Sequence, residues 1–305
     1  MGVHRGAARR WPGRAALSVR HGLMGDMIEH FSELRGFLDR HLDDVTEAVR
    51  EAAAAEIVPR FRQLAEDDVV QKSGPHDLVT SADRLAELRL TDALTALLPG
   101  SVVVGEEAVH ADPAVYGALE GDAPVWIVDP VDGTRQFVHG DPGFCTLVAL
   151  VRGGETLASW TYAPALGELA IAVLGDGATL NGTRLAAGAP ADGALLDVAT
   201  SHPDFTTPAQ KEALLGLRAP GVAPRPCGSA GLEYLAVARG TGDATAFSWE
   251  AAWDHAAGLL LVTEAGGAHL TRDRVPFRYR GGNALPFTAA RDLATAERVV
   301  KLLGG

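Results

Sequence analysis

Two aspartates lie close together in the stretch WIVDPVDGT, residues 126 to 134, after an apolar run that predicts a short buried strand. Pro130 fixes its own φ and favours an extended backbone at Asp129, while Gly133 permits a sharp reversal. The carboxylates of Asp129 and Asp132 can therefore turn towards one point, where they repel each other unless a cation lies between them. Hard oxygen ligands favour Mg²⁺ or Mn²⁺ over zinc. A plain turn explains the same residues equally well, because Asp-Pro and Asp-Gly are turn dipeptides.

Acidic residues also follow a second predicted strand. The stretch SVVVGEE, residues 101 to 107, is apolar at first and ends in Glu106 and Glu107 after a glycine. Two buried strands that both end in carboxylates are expected to converge at one edge of a sheet, where α/β proteins bind ligands. The alternative is a strand that runs into a solvated acidic loop.

A further acidic residue stands at the start of a predicted helix. Asp254, in WDHAAG (residues 253 to 258), opens an apolar segment that runs to about Glu264 and stops at two glycines. Aspartate is a favoured N-cap, so this pattern predicts a capping role for Asp254.

Together the three stretches resemble the inositol monophosphatase family of Mg²⁺-dependent, lithium-sensitive phosphatases. That family carries a GEE strand, a DPxDGTxxF loop and a WDxAAG helix in this order. Here they are Gly105-Glu106-Glu107, Asp129 to Phe137 and Trp253 to Gly258, and the resemblance covers the chain from about residue 40 to its end. It implies a layered αβαβα sandwich of the inositol monophosphatase and fructose-1,6-bisphosphatase type. Composition and periodicity alone predict only an α/β or α+β fold.

The resemblance implies a site for two or three Mg²⁺ ions, with Mn²⁺ as an alternative. One ion would be held by Glu106, Asp129 and the carbonyl of Val131. Another would be held by Asp129, Asp132 and Asp254. Such ions neutralise a phosphate and activate water.

Catalytic roles follow from the same resemblance. The stretch QKSGPHDLVTSAD, residues 71 to 83, predicts a Gly-Pro turn and then Thr80 or Ser81 as the cap of a helix. The family pattern makes Asp83 the partner of Thr134, and the pair, with Glu106 as a further candidate, would position the attacking water. The phosphate would rest on the backbone amides of Gly133 and Thr134, at a loop or helix start.

Residues on the substrate side depart from the inositol-cleaving pattern. In those enzymes a glutamate seven residues before the helix aspartate bonds to the ring hydroxyls of the substrate. Counting back seven residues from Asp254 gives Phe247 in this chain, and Glu250 lies three residues later, nearer to the predicted metal ligand Asp254. A phenyl ring cannot accept bonds from ring hydroxyls. If Arg135 faces the pocket, it would favour a substrate with a second anionic group. The alternative is that Arg135 is solvated and that Glu250, from its shifted position, accepts the hydrogen bonds from the ring hydroxyls. Ser229, in a Gly-Ser-Ala stretch, either caps a helix or borders the organic part of the substrate.

Three classes of function follow. The first is a phosphomonoesterase that hydrolyses a small phosphorylated metabolite, such as an inositol phosphate, with metal-activated water. The second is a related phosphatase for a 3′-phosphonucleotide, a sugar bisphosphate or histidinol phosphate. The third is a regulatory or binding protein without turnover, which the complete acidic set opposes. That set is Asp83, Glu106, Asp129, Asp132 and Asp254.

Composition limits the partners. The chain has 305 residues, of which 47% are apolar, and a net charge of −12 that argues against nucleic-acid binding through a general basic surface. Cys145 and Cys227 are far apart, so a disulfide framework is not expected and a reducing cytoplasm is favoured. We expect a small phosphorylated metabolite as the partner, no membrane, and a homodimer.

The sequence predicts a short N-terminal extension followed by a catalytic body. Residues 1 to 25 are basic and rich in Gly, Ala and Arg, without a sustained apolar run, which predicts a disordered extension and no signal peptide. Residues 26 to 305 form the body. The resemblance implies that the half up to about residue 185 binds metal and phosphate and that the half from about 186 carries Asp254 and the substrate side.

Periodicity predicts the remaining elements. A helical pattern runs from Ile28 to about Leu64, interrupted or ended near Pro59. Three strands at 144–151, 156–162 and 168–174 predict an antiparallel meander, and residues 175–182 predict turns. Further predictions are a helix at 83–98, a strand at 195–200, helices at 208–217 and 230–239, a strand at 287–290 and a helix at 292–303. His255 is predicted to support the start of its helix or to border the site.

Overall fold

The computed structural model describes residues 24–65, 68–71, 78–189 and 193–304. Residues 1 to 23 of the predicted extension and the predicted Gly74-Pro75 turn lie outside these ranges. Within them, no helix combines the length and apolarity that a membrane crossing requires.

The described helices alternate with strands along most of the chain. The helices are α1 (Met24–Ala52), α2 (Ser81–Leu97), α3 (Glu106–Ala111), α4 (Thr134–Val138), α5 (Pro208–Leu214), α6 (Ala230–Ala238), α7 (Ala252–Glu264) and α8 (Leu293–Leu302). After α1, a π-helical turn (Ala53–Ile57) and a 3₁₀ turn (Val58–Arg60) end the predicted long helix near Pro59, which has no backbone N–H to continue it.

The strands form one large sheet, one smaller sheet and a short pair. The pair is β1 (Val69–Gln71) and β2 (Leu78–Thr80), and the large sheet contains β3 (Val102–Gly105), β4 (Val125–Asp132), β5 (Cys145–Arg152), β6 (Glu155–Ala163), β7 (Glu168–Val173), β8 (Gly177–Leu180) and β9 (Thr183–Arg184) in sequence order. The smaller sheet has the order β11-β10-β12-β14-β13, with β10 (Leu196–Thr200), β11 (Val222–Pro226), β12 (Ala244–Ala246), β13 (Ala268–Leu270) and β14 (Thr288–Ala290). The predicted meander is confirmed, because β5, β6 and β7 pair antiparallel.

Five layers stack on one another, which confirms the predicted αβαβα sandwich. Helices α1 and α2 pack on one face of the large sheet through residues such as Val45 and Leu90. Helices α6 and α7 lie between the two sheets and contribute Tyr234 and Leu261 to the largest core cluster. Helix α8 covers the outer face of the small sheet, where Val299 is fully buried.

Strand β4 is covered on both faces, and this explains its unbroken apolar sequence. Its side chains alternate between layers: Trp126 and Val128 pack towards α1 and α2, and Val125 and Ile127 pack towards α6 and α7. Every residue of β4 is buried. The polar residues at its end are therefore held inside the protein.

Some predicted elements differ from the structure. Residues 175–182 were predicted to be turns, but they contain β8, which pairs with β7. Strands β11, β12 and β13 had no counterpart in the predictions. The last two have only three residues each, too few for a period to show.

Candidate active site

Parallel pairing of β3 and β4 brings the first two acidic residues to the same edge of the large sheet. Gly105, the last residue of β3, lies opposite Val128, so Glu106 at the start of α3 and Asp129 on β4 are the residues that follow this pair. The predicted convergence of the two strand ends therefore occurs in the structure.

A buried carboxylate that the sequence did not reveal holds the segment with Glu106. Glu87, on α2, accepts hydrogen bonds from the backbone N–H groups of Glu107 at 2.8 Å and Ala108 at 2.7 Å. It replaces the side-chain cap that Gly105 cannot supply. A Cβ at Gly105 would lie 2.3 Å from the Glu87 carboxyl carbon, so a side chain at this position would displace the carboxylate from these two bonds.

Strand β4 continues through both aspartates instead of ending before them, as the sequence predicted. Asp129 pairs with Leu147 and Asp132 with Cys145, so three steps along β4 match two along β5. This bulge changes the direction of the side chains that follow it. The carboxylates of Asp129 and Asp132 can thus face one point without leaving the strand.

Three carboxylates form an acidic cluster of Asp129, Asp132 and Asp254, whose ligand oxygens lie within 4.8 Å of one another. Burial raises the pKa of Asp129 well above its usual value, and the nearby negative charges of Glu106 and Asp132 raise it further. A bound cation reverses both effects, since it stabilises the charged form. The donors are hard oxygens, and they fit Mg²⁺ or Mn²⁺.

The start of α6 holds Asp132 in place. Its carboxylate accepts hydrogen bonds from Ser229 Oγ at 2.5 Å and from the N–H groups of Ala230 and Gly231 at 3.1 and 2.7 Å. Ser229 is also the N-cap of α6, since its Oγ accepts from Leu232 N. The predicted capping role of Ser229 is confirmed, while its side chain holds Asp132 and Ser229 is not among the residues that line the cavity described below, so the predicted contact with the organic part of the substrate stays a prediction.

Asp254 lies in the first turn of α7 and is not its N-cap, which corrects the prediction. The helix begins at Ala252, and its N-cap residue Ala251 provides no side-chain bond. The hydroxyl of Tyr116 accepts the bond from Ala252 N instead, at 3.0 Å. Trp249 Nε1 donates to Asp254 Oδ2 at 2.7 Å, which fixes one oxygen of the carboxylate.

His255 supports this arrangement from the core and has no ring nitrogen left for a metal. Its Nε2 donates to the carbonyl of Trp249 at 3.0 Å, and its Nδ1 therefore accepts from the Tyr234 hydroxyl at 2.9 Å. Burial lowers the pKa of His255 to about 3, so the ring is neutral at physiological pH. The predicted supporting role is confirmed.

Replacing Trp249 by phenylalanine should weaken divalent-metal binding by about 10-fold to 100-fold, which is typical for the loss of a hydrogen bond to a metal ligand. The phenyl ring keeps most of the packing on Phe247, whose ring centroid lies 4.4 Å from that of Trp249. Titration with Mn²⁺ followed by electron paramagnetic resonance measures the affinity directly. An unchanged Mn²⁺ affinity, with an unchanged melting temperature in chelator, would show that the indole N–H does not position Asp254.

Thr134 lies beside the acidic cluster and contacts its predicted partner Asp83 and the carbonyl of Val131. Gly133, at φ +91°, turns the chain into α4, and a Cβ there would meet Gly143 O at 3.0 Å. Thr134 Oγ1 lies 3.0 Å from the Val131 carbonyl and 3.3 Å from Asp83 Oδ1. Asp83 is 1% exposed and forms a capping box with Thr80, so the cap of α2 and the predicted water-positioning pair share one carboxylate.

Thr134 and the acidic cluster border an open cavity of about 290 Å³, a size that suits a small metabolite, and Asp83 lies behind Thr134 outside the lining. Among the predicted residues its lining includes Glu106, Asp129, Val131, Asp132, Gly133, Thr134, Arg135 and Asp254. The lining also contains Trp249, together with Ser201, His202, Phe205 and Ser248, and sequence reasoning did not assign these last four.

Two predicted substrate-side residues lie elsewhere. Phe247 is fully buried and packs on Tyr234 and Phe287 in the core, because its backbone bridges to Phe287. Glu250 accepts from the backbone and side-chain N–H groups of Asn283, at 3.0 and 2.9 Å, and does not border the cavity. The prediction that Phe247 is the ring-recognition residue is therefore wrong.

Arg135 borders the cavity, but its charge already has a partner. Its guanidinium donates to Asp204 Oδ2 at 2.8 Å. A second anionic group on the substrate would have to compete with Asp204, which weakens the predicted preference for such a group.

The model of the inositol monophosphatase family matches residues 39–301, so the chain belongs to this family. An inositol-1-monophosphatase of Rhizobium meliloti is 40% identical over 208 residues, which cover 65% of this chain and 73% of the relative. The Nus factor SuhB of Pasteurella multocida is 32% identical and the match covers 83% of this chain and 91% of that protein. A solved structure of a Thermotoga maritima IMPase superposes with a TM-score of 0.71 at 29% identity, over 87% of this chain and 96% of the other.

Proposed function

We propose that the protein is a Mg²⁺-dependent phosphomonoesterase that hydrolyses a small phosphorylated metabolite. The observation that supports this best is the meeting of three carboxylates, from β4 and α7, beside Thr134 in one cavity. When bound, the metal ions supply positive charge that offsets the phosphate and the leaving oxygen, and they activate water.

The residues of the site would bind the metal ions and the phosphate. Asp129, Asp132 and Asp254 would hold one ion, and Glu106, Asp129 and the Val131 carbonyl would hold another. The N–H groups of Gly133 and Thr134 would bind phosphate oxygens.

Thr134 and Asp83 would orient the attacking water. A hydroxyl that donates its hydrogen to Asp83 or Val131 keeps lone pairs that accept from that water. Correct orientation lowers the barrier by avoiding the entropy cost of aligning the reactants.

A regulatory role is the second candidate, because the relative from Pasteurella multocida is named a Nus factor. The complete acidic cluster supports turnover instead, since buried carboxylates without a cation repel one another. The two candidates differ in a simple assay.

Phosphate release from an aryl phosphate should require Mg²⁺ or Mn²⁺ and stop with chelator. The next measurement is kcat/KM on inositol 1-phosphate, 3′-phosphoadenosine 5′-phosphate, fructose 1,6-bisphosphate and histidinol phosphate, since this ratio measures discrimination. We expect inositol 1-phosphate to be hydrolysed without being the best substrate, because Glu250 does not border the cavity. No release from any ester would favour the regulatory candidate, and a clear lead for inositol 1-phosphate would contradict the expected substrate preference.

A further inference from the structure

The cavity offers a polyhydroxylated substrate no carboxylate outside the predicted metal site. Among the described residues that line it, every carboxylate belongs to the predicted metal site: Glu106, Asp129, Asp132 and Asp254. Nearby, Asp204 pairs with Arg135 and Glu250 bonds to Asn283. A ring with many hydroxyls would therefore find only uncharged acceptors in the lining, such as Gln136 Oε1, in place of the stronger bonds that a carboxylate accepts.

Aromatic side chains form another part of the lining, named here the ring wall: His202, Phe205 and Trp249. Phe205 is 53% exposed, although a phenyl ring in water is unfavourable. The centroids of His202 and Phe205 are 5.9 Å apart, with the planes at 69°. An exposed aromatic surface beside a cavity favours contact with a second flat ring.

A buried hydroxyl lies in the same lining. Ser248 is 1% exposed, and its backbone bonds are satisfied, since its N–H donates to Ser201 Oγ at 2.9 Å and its carbonyl accepts from Gln210 at 2.7 Å. Its Oγ has no hydrogen-bond partner among the described residues. A buried hydroxyl without a partner is costly, so a polar ligand atom at this point would be favoured.

We propose that the organic part of the substrate is a flat, unsaturated ring with a hydrogen-bonding ring atom, of the heteroaromatic class. The ring packs on Phe205 and His202, and its polar atom bonds to Ser248 Oγ. The inference rests on the proposed function, because the phosphate must lie at the acidic cluster. It does not require a second anionic group, since Asp204 already matches the charge of Arg135.

The ring wall is tested with two esters that differ only in the ring. Benzyl phosphate and cyclohexylmethyl phosphate both release a primary alcohol, and neither carries a hydroxyl on the ring. The wild-type protein should prefer benzyl phosphate by about fivefold or more in kcat/KM, the range expected from aromatic contacts. In Phe205→Leu this ratio should fall towards one, and in the control Leu166→Ala, an exposed residue outside the cavity lining, it should stay at the wild-type value.

The role of the Ser248 hydroxyl is tested with an ester whose ring contains a nitrogen atom. Pyridylmethyl phosphate should be preferred over benzyl phosphate by the wild-type protein, and Ser248→Ala should abolish this preference, because only the side-chain bond is lost. Thr288→Val is the matched control. It removes another buried hydroxyl without a partner among the described residues, at a position outside the cavity lining.

The outcomes separate this inference from the proposed function. Equal kcat/KM for the benzyl and cyclohexylmethyl esters, or a ratio that Phe205→Leu leaves unchanged, would overturn the ring wall as the specificity element. A nitrogen preference that survives in Ser248→Ala would overturn the role of that hydroxyl. If neither ester nor inositol 1-phosphate releases phosphate with Mg²⁺, the proposed function itself fails.

Discussion

Asparagine in place of Asp254 should lower Mg²⁺-dependent kcat/KM by about a hundredfold or more, because a bound metal contributes several kcal/mol to transition-state stabilisation. The amide has the shape of the carboxylate, and its oxygen can still accept from Trp249 Nε1. The change therefore removes a charge and a metal ligand with little effect on packing. Asp122→Asn, at an exposed aspartate outside the cavity lining, is the control for charge alone.

The melting temperature gives a second readout of the same variant. Without metal, the carboxylates of the acidic cluster repel one another, and the raised pKa of Asp129 reflects burial and this repulsion. Asp254→Asn should thus melt at the same or a higher temperature than the wild type in chelator, and gain less from added Mg²⁺.

Asp132→Asn should lose activity for the same reason but behave differently in chelator. Its carboxylate accepts bonds from Ser229, Ala230 and Gly231, and an amide would direct N–H groups at these donors. We expect a lower melting temperature in chelator for this variant alone. Full turnover of either variant at saturating Mg²⁺ would contradict the assignment of these carboxylates as metal ligands.

The convergence of Glu106 and Asp129 could be predicted because its signals are local, whereas the place of Asp254 in the acidic cluster followed from the family resemblance. An apolar strand that ends in acids is visible in a short window, and parallel pairing then brings Glu106 and Asp129 to one edge. The layered fold followed from the family resemblance, since short apolar segments alone do not distinguish sheet orders.

The residues that position the predicted metal ligands could not be recognised from the local sequence. Glu87 lies within α2 and Tyr116 in a separate segment, and both act on backbone N–H groups far along the chain. A buried glutamate in an α-helix and a tyrosine in a 3₁₀ helix (Pro113–Glu120) are common in any sequence. Only the tertiary contacts identify them as supports of Glu106 and Asp254.

Counting residues failed at the substrate side for a geometric reason. Phe247 exchanges backbone bonds with Phe287, each 2.9 Å long, so the segment is extended there. Neighbouring side chains in an extended segment point in opposite directions. Phe247 therefore enters the core, and the residue that borders the cavity is Ser248, one position later than the count predicted.

Valine in place of Thr134 should lower kcat by about 10² to 10⁴, the range for loss of a group that positions or transfers a proton. Valine has the shape of threonine, so the change removes the hydroxyl and keeps the packing at the start of α4. Thr134→Ser retains the hydroxyl and should keep most of the activity. Single-turnover phosphate release at saturating Mg²⁺ measures the chemical step.

Metal affinity shows how Thr134 acts. Its hydroxyl lies 3.0 Å from the Val131 carbonyl, a predicted ligand, and 3.3 Å from Asp83, which Thr80 also holds with a hydrogen bond of 2.5 Å. If Thr134 orients water with Asp83, Thr134→Val should bind Mn²⁺ as tightly as the wild type, and Asp83→Asn should lower kcat as well. If the hydroxyl instead fixes the Val131 carbonyl, the valine variant should bind Mn²⁺ more weakly and recover activity as Mg²⁺ rises. Recovery at high Mg²⁺ would therefore contradict the water-positioning role.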